Sequence, residues 1–530
     1  MSMIDNPDAM PGSETPTNGT LNDRRPMKGD EYLESLRDGR EVWINGERVK
    51  DVTTHPAFRN AARSIARLYD EMWDESNTDL RTPTSTGNGG FTHPFFRPAR
   101  NVDDMVADQA AIAHWARMMH GFMGRTPDYK AGLYGGMELN ADFFAPYEDN
   151  ARAWHRLMQE RIPFVAHAIV NPPVDRNLPA DEVGDVFVHV EGETDNGLVV
   201  SGAKVVATNV PLTNYCFVGY VGAPLQKKEF AVVFTVPMDA PGVKVIARAS
   251  YEQNAAQHGG PFDYPLSSRL DENDAIFILD HAVIPWENVL VYGDTAKAGN
   301  WAGGDSGQAN RIWFHGATRL AVKIDLIAGL MMKAVRINGT DNFRGIQARV
   351  GEIIGWRNLF WGLSNAMART PEPWLDGHVL PNFEASVAYR LFSSQAMPQI
   401  RNLVEASLGS ALIYLNGSAQ DFKTPELRPL LDRYLRGSNG IDAVERVKTL
   451  KMVWETVGSE FAGRNELYER SYTGSEEDAR VQTVWMAEAT GLADNLSGFA
   501  ESAMAEYDLD GWRIPNMLNP NDLDRIARDE

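Results

Sequence analysis

The sequence predicts an α+β chain in three blocks: a helical N-terminal domain, a central β-barrel or sandwich, and a C-terminal helical bundle. Two changes of period carry that expectation. Near Pro172 the apolar spacing passes from threes and fours to alternation, and near Gly303 it passes back. A third observation concerns the start. "MSMIDNPDAMPGSETPTNGTLNDRRP" is polar, rich in Pro, Gly, Asn and Asp, and lacks an apolar core, so it reads as a disordered leader and not as a signal peptide. The expected division is a leader at 1–26, a helical domain at 27–171, a β-domain at 172–300, and a bundle with its tail at 301–530.

The elements follow in order. "DEYLESLRDG", "AFRNAARSIARLYDEMWDE" and "DDMVADQAAIAHWARMMHGF" repeat apolar residues at helical spacing. Between the last two lies "TSTGNGGFTHPFFRP", a loop of turn residues and aromatics. "DVFVHVEGETDNGLVVSGAKVVATN" alternates as strands do, with Asp195-Asn196-Gly197 as a hairpin turn. Further strand-like runs reach "NVLVYG", six or seven in all, which suits a barrel or sandwich. Four long helical segments then begin at Gly316, Phe343, Ser386 and Ala443. The last is interrupted by Gly458-Ser459 and Gly463-Arg464. A glycine within a helix costs about 1 kcal/mol relative to alanine, so a close approach to a ligand is one reason to keep it.

Composition narrows the function. The 530 residues carry 51 basic and 72 acidic side chains, a net charge of −21, which argues against nucleic acid or an anionic membrane as the main partner. Cys216 is the single cysteine, so intrachain disulfides and cysteine-based metal clusters are excluded, in keeping with a cytoplasmic setting. No apolar run reaches the length of a membrane span. There is no G-x-G-x-x-G after a strand, no P-loop, no G-x-S-x-G and no H-E-x-x-H. Nothing recommends a metal.

What remains is a set of short stretches. In "GRTPDYK", residues 124–130, Thr126-Pro127-Asp128 reads as a helix start, with Arg125 just outside it and Tyr129 on its first turn. "RIPFVAHAIVNPPVDR" sets His167 in an apolar run before a rigid Asn-Pro-Pro turn, as a core residue or a ligand. "SGAKVVATN" ends a strand in Thr208 and Asn209.

Taken in this order, these stretches resemble the large oxygenase component of two-component, FADH2-dependent aromatic hydroxylases. This is the 4-hydroxyphenylacetate 3-monooxygenase family, which includes phenol and 4-nitrophenol hydroxylases. The resemblance spans about Arg25 to Trp512. It is carried also by "GREVWINGERVKDVTTHPAFRNAARSIARLYD", "YPLSSRLDENDAIFILD", "VIPWENVLVY", "FRGIQARVGEIIGWRNLFW", "LRGSNG" and "GSEFAGRNELYE". It implies an acyl-CoA-dehydrogenase-like fold, a homotetramer or homodimer, and FADH2 delivered by a separate NAD(P)H:flavin reductase. With O2 the flavin would form a C4a-hydroperoxide that hydroxylates a phenol ortho to its oxygen.

The resemblance further implies that Arg125, Tyr129 and His167 are catalytic and bind the substrate: the cation stabilises phenolate charge, the phenol positions, and the imidazole is the proton partner. Flavin contacts would come from His167, Ala168, Ile169, Pro173, Val174, Asp175, Arg176, Thr208, Ser459, Gly463 and Arg464. Arg344 and Gln347 would reach a neighbouring subunit's flavin, and "GYVGAPLQKKEF" (219–230) would close as a lid. Apolar Phe164-Val165-Ala166 before His167 favours phenol or 4-nitrophenol, whereas Lys227 and Lys228 would either bind the carboxylate of 4-hydroxyphenylacetate or simply face solvent. A carrier-bound tyrosine derivative is a further alternative. An acyl-CoA dehydrogenase with Glu469 as base and a non-catalytic flavin-binding protein are the remoter ones.

Overall fold

The structure is a computed structural model that describes residues 24–519 except 176, 180, 181, 223, 304 and 305. Most of the expected leader lies outside the described residues. Its last residues are tied down: Arg24 makes a two-pronged ion pair with Glu160 (2.8 Å each), and Arg25 pairs with Glu31 (2.5 Å).

The N-terminal region holds α1 (Gly29–Ser35), a hairpin of β1 (Glu41–Ile44) and β2 (Glu47–Val49), α2 (Arg59–Trp73), α3 (Val102–Met118) and α4 (Glu148–Arg161). On α2 the buried residues Ala61, Ile65, Leu68, Tyr69 and Met72 recur at helical spacing and form one stripe. Burying each of the larger ones contributes about 1.5–3 kcal/mol. α3 starts where the Asn101 side chain accepts from the Asp104 N–H (2.9 Å).

Eight further strands follow. They are β3 (Val165–Ala168), β4 (His189–Thr194), β5 (Gly197–Thr208), β6 (Tyr215–Val218), β7 (Val232–Pro237), β8 (Val243–Ala247), β9 (Asp274–Pro285) and β10 (Val289–Tyr292). They form two open sheets, ordered β2-β1-β8-β9-β5-β4 and β10-β7-β6-β3. Of the barrel or sandwich expected, the closed barrel does not form among the described residues. Strands from outside the alternating region complete both sheets. β1 pairs in parallel with β8 (Val42 opposite Val245), and β3 pairs in parallel with β6 (His167 opposite Phe217). The expected hairpin at Asp195-Asn196 joins β4 to β5 with Thr194 opposite Gly197. Gly197 is required there, because a Cβ would lie 1.9 Å from the Ile284 carbonyl oxygen.

The bundle comprises α5 (Gln308–Asn338), α6 (Arg344–Arg369), α7 (Phe383–Leu408), α8 (Ala443–Val457), α9 (Glu460–Ser471), α10 (Glu476–Ala489) and α11 (Leu492–Met504). α5 is central and packs on α3, α6, α7 and α8. The break expected in the last long segment occurs at Gly458-Ser459, where the Ser459 hydroxyl accepts from the Ala462 N–H (3.1 Å). Gly463-Arg464 does not break it, since both lie within α9. One continuous apolar core runs from Met27 to Phe461. Among the described residues no helix is long and apolar enough to cross a membrane, and no cluster of His, Cys, Asp and Glu could hold a metal.

Candidate active site

"GRTPDYK" folds as expected at its start. Thr126 is extended, Pro127 opens a tight 3-10 turn over Pro127–Lys130, and that turn runs on into the helical turn Ala131–Tyr134. The Thr126 hydroxyl bonds to the Asp128 carboxylate instead of capping the turn. Asp128 also accepts from His315 on α5 (3.2 Å); although burial works the other way, His315 holds this carboxyl below its usual range. The turn is thereby fixed to the bundle.

Arg125 is buried, at 8% exposure, and is not the solvated cation of an ordinary helix entry. Its guanidinium lies over three tyrosine rings: Tyr129 at 4.2 Å, Tyr472 at 5.0 Å and Tyr468 at 5.1 Å. Desolvated contacts of this kind are worth about 2 kcal/mol each. Nη1 donates to the Tyr468 hydroxyl (2.7 Å), while the buried Nε has no partner among the described residues. Tyr468 comes this close because residue 124 is glycine; a Cβ there would lie 2.0 Å from its hydroxyl. The Arg125 backbone N–H donates to Glu272 (2.5 Å), so this acid fixes the main chain without an ion pair to the guanidinium.

His167 stands on β3 with its ring 5.7 Å from the Tyr129 ring. The residue is half-buried. Its Nδ1 lies 2.6 Å from the Lys130 amine. Arg125, Tyr129 and His167 thus come together, and Lys130, Tyr468 and Tyr472 join them. Sequence reasoning missed those three. Lys130 was visible only as a charged residue beside a helix start, and the tyrosines only as part of a helical stripe.

Two of the residues proposed for flavin, Thr208 and Arg464, meet at one carboxylate. Thr208 donates to Asp274 (2.8 Å), and Arg464 grips the same group through Nε (2.8 Å) and Nη2 (2.6 Å). Arg464 Nη1 donates to Glu272 (3.0 Å), so every nitrogen of its guanidinium is already committed to protein. Despite burial, Arg464 and Arg248 hold the Asp274 carboxyl far below its usual range. Ser459 caps α9, whose first turn carries Gly463 with open space where a side chain would be. Ala168 is fully buried, which leaves only its backbone for a ligand, while Ile169 is half-buried and Pro173 and Asp175 are exposed. Arg176 lies outside the described residues. Arg344 and Gln347 are exposed at the start of α6.

Val170 bridges to Val205, and Val170, Val174 and Val206 stand exposed in the adjoining segments. Val206 is 56% exposed at φ +55°, a left-handed conformation that strains a β-branched residue by about 1–3 kcal/mol. Exposed valines thus flank the strand that carries His167 and the strand that ends at Thr208.

In the segment expected to act as a lid, Tyr220, Leu225 and Phe230 point inward and line a small cavity with Asn171, Phe187 and Lys204. Lys227 and Lys228 are exposed. Lys204 is buried, donates to Asn171 (2.7 Å), and is pushed down to about 7 by that burial. Glu469 is not the solvated residue a helix surface would give. It is buried between Arg319 (2.7 Å, two bonds) and Lys323 (2.5 Å). Burial alone would raise its carboxyl, but the two cations hold it down to about 2, a poor base for removing a carbon-bound proton.

Comparison with known proteins agrees with the architecture. Family models described as the N-terminal and C-terminal parts of 4-hydroxyphenylacetate 3-hydroxylase match residues 28–291 and 304–501. The oxygenase component of 4-nitrophenol 2-monooxygenase from a Rhodococcus species is 55% identical, over 96% of this chain and 98% of its own. A Streptomyces globisporus monooxygenase of a carrier-bound (3S)-3-amino-3-(3-chloro-4-hydroxyphenyl)propanoyl group is 54% identical, over 95% and 96%. The crystal structure of a 4-hydroxyphenylacetate 3-monooxygenase oxygenase component complexed with FAD superimposes with a TM-score of 0.83 at 28% identity, covering 90% of this chain and 99% of its own. A buried guanidinium–tyrosine–imidazole group beside an apolar rim, on this fold and with these likenesses, places the chain in the 4-hydroxyphenylacetate 3-hydroxylase family.

Proposed function

We propose that this chain is the oxygenase component of a two-component aromatic hydroxylase and converts phenol or 4-nitrophenol to a catechol. The observation that carries the reading is the Arg125 guanidinium, buried on three tyrosine rings with no carboxylate paired to it among the described residues. Such a cation awaits an anion, and a phenol losing its proton supplies one. Reduced FAD from a separate reductase supplies the electrons that activate O2.

The chain's own residues prepare the substrate. Arg125 faces the phenol oxygen and stabilises its negative charge, which raises electron density at the ortho carbons. His167, with Nδ1 engaged by Lys130, presents Nε2 to take the hydroxyl proton. Tyr129 walls the ring, and the buried Phe164, Val165 and Ala166 exclude water behind it.

The substrate choice is supported by the 55% identity to a 4-nitrophenol enzyme, the apolar stretch before His167, and the outward placement of Lys227 and Lys228. A carrier-bound chlorinated tyrosine derivative is the second reading, favoured by the nearly equal 54% identity. The test supplies reduced FAD from a generic reductase, with catalase, and offers phenol, 4-nitrophenol and 4-hydroxyphenylacetate in parallel. Catechol formed fastest from either uncharged-tail phenol supports the reading. Preference for 4-hydroxyphenylacetate moves the assignment to that substrate, and no product from any of the three moves it to a tethered one.

The chain would act as a homotetramer or homodimer. α10 and α11 expose Val481, Val484, Trp485, Leu496, Phe499 and Met504, more large apolar side chains than isolated surface residues account for. Sedimentation should give a multiple of 58.9 kDa, and Trp485→Glu with Phe499→Glu should reduce it towards the monomer.

A further inference from the structure

The Lys130–His167 pair is unusual in holding two bases together with no acid. The Lys130 amine lies 2.6 Å from His167 Nδ1, and its other close neighbours are the rings of Tyr129 (5.0 Å) and Phe217 (5.7 Å). Neither residue makes an ion pair with a carboxylate among the described residues. The groups facing the pair are few. Arg125 and Tyr129 come from the entry loop and turn, and Cys216 with Phe217 from β6; behind Tyr129 stand His315 of α5 and Tyr472. Burial, and then the Arg125 charge, hold the amine well below the usual lysine range. Burial, Lys130 and Arg125 do the same to the imidazole. With no carboxylate beside them and the Arg125 cation nearby, the two bases favour a neutral pair joined by one hydrogen bond, in which Nδ1–H can donate to the amine.

Resting on the phenol reading above, we propose that Lys130 is the final acceptor of the substrate's hydroxyl proton, which it receives through His167. The phenol O–H bond breaks as an N–H bond forms at Nε2. The Nδ1–H bond breaks as a third N–H bond forms on the amine. The imidazole ends neutral in its other tautomer, the lysine ends as ammonium, and the phenolate lies against Arg125. No electron moves and no proton leaves the site. Lys130 acts through His167 and is a positioning residue and proton store, not a group that touches the substrate. The arrangement would let the enzyme ionise a phenol at the moment of binding without a water path to bulk solvent.

4-Nitrophenol tests this directly, because its anion is yellow and its acid is not. Full-length protein is loaded with photoreduced FAD without oxygen, so that no turnover occurs. It is titrated with 4-nitrophenol at a pH where the free phenol is mostly protonated, while an indicator dye counts protons released. Wild type should show the yellow anion on binding, with the ionisation constant raised about tenfold, one pH unit, and no proton released. Lys130→Met should bind the phenol but leave it mostly colourless. Lys130→Arg supplies from the start the positive charge that the lysine gains only on accepting the proton, and cannot accept one itself, so it should restore the colour while releasing one proton per anion. One proton released per anion by wild type, or full colour without release in Lys130→Met, would overturn the proposal. The wild-type count needs no variant to fold. Bound but colourless phenol in wild type would likewise overturn the proposal, whereas no binding of 4-nitrophenol, read by equilibrium dialysis, would overturn the phenol reading itself.

Discussion

Arg125 commits Nη1 to Tyr468 and holds Nε unpartnered in the core. Arg125→Ala should keep the fold and flavin binding but lower the rate of catechol formation about 10²–10³-fold, the usual effect of removing one donor aimed at developing charge. O2 uptake should continue and appear as H2O2, so the ratio of product to O2 consumed is the measurement. At this scale the sequence was legible in part. Arg125, Tyr129 and His167 stood out because a cation, a phenol and an imidazole occupy segments that resemble a known family. Lys130 stands in the same seven residues as Arg125, but nothing in a sequence distinguishes a lysine that solvates a turn from one desolvated against a histidine on a distant strand. Glu272 and Asp274 were hidden in "LDEND", an acidic run that reads as a solvated turn, whereas both carboxylates face inward to fix Arg125 and Arg464.

α9 joins the two halves of the site: Arg464 reaches β9, Tyr468 reaches Arg125, and Glu469 reaches α5. Glu469→Gln would leave Arg319 and Lys323 as buried cations without their anion, and should cost about 3–5 kcal/mol in urea unfolding. Ser459→Ala removes the cap and should cost about 1 kcal/mol. If Ser459 also touches the flavin, the same variant will weaken FAD binding as measured by equilibrium dialysis; a cap alone will leave it unchanged. The start of α9 could be read from Gly458-Ser459, since a cap residue after a glycine is a local signal. The continuation through Gly463 could not be, because the contacts that hold that turn helical come from Asp274 and Glu272, about 190 residues earlier in the chain.

For the whole molecule, the acid limb of stability follows from the buried carboxylates. Glu469 is held down to about 2, and Asp128 and Asp274 lie below their usual range. Each is ionised in the folded chain at a pH where the unfolded chain would already be protonated. Their contribution is complete above the ordinary carboxylate range near 4.5 and is lost as pH falls through the folded values. The urea midpoint should fall steeply between about 4.5 and 2. The order of blocks was legible because period is a local property. The sheet order was not, for pairing between distant strands has no local signal and the alternating pattern suits an open sheet as well as a closed one. The parallel pairing of β1 with β8 also sets a schedule for biosynthesis. Glu41 leaves the ribosome 203 residues ahead of Lys244, its partner across the sheet. At about 5–20 residues per second the nascent hairpin waits roughly ten to forty seconds with an unpaired edge. Strand edges left open in that way invite pairing with other chains, so expression yield should depend on how well that interval is shielded, and slowing translation between these positions should lower it.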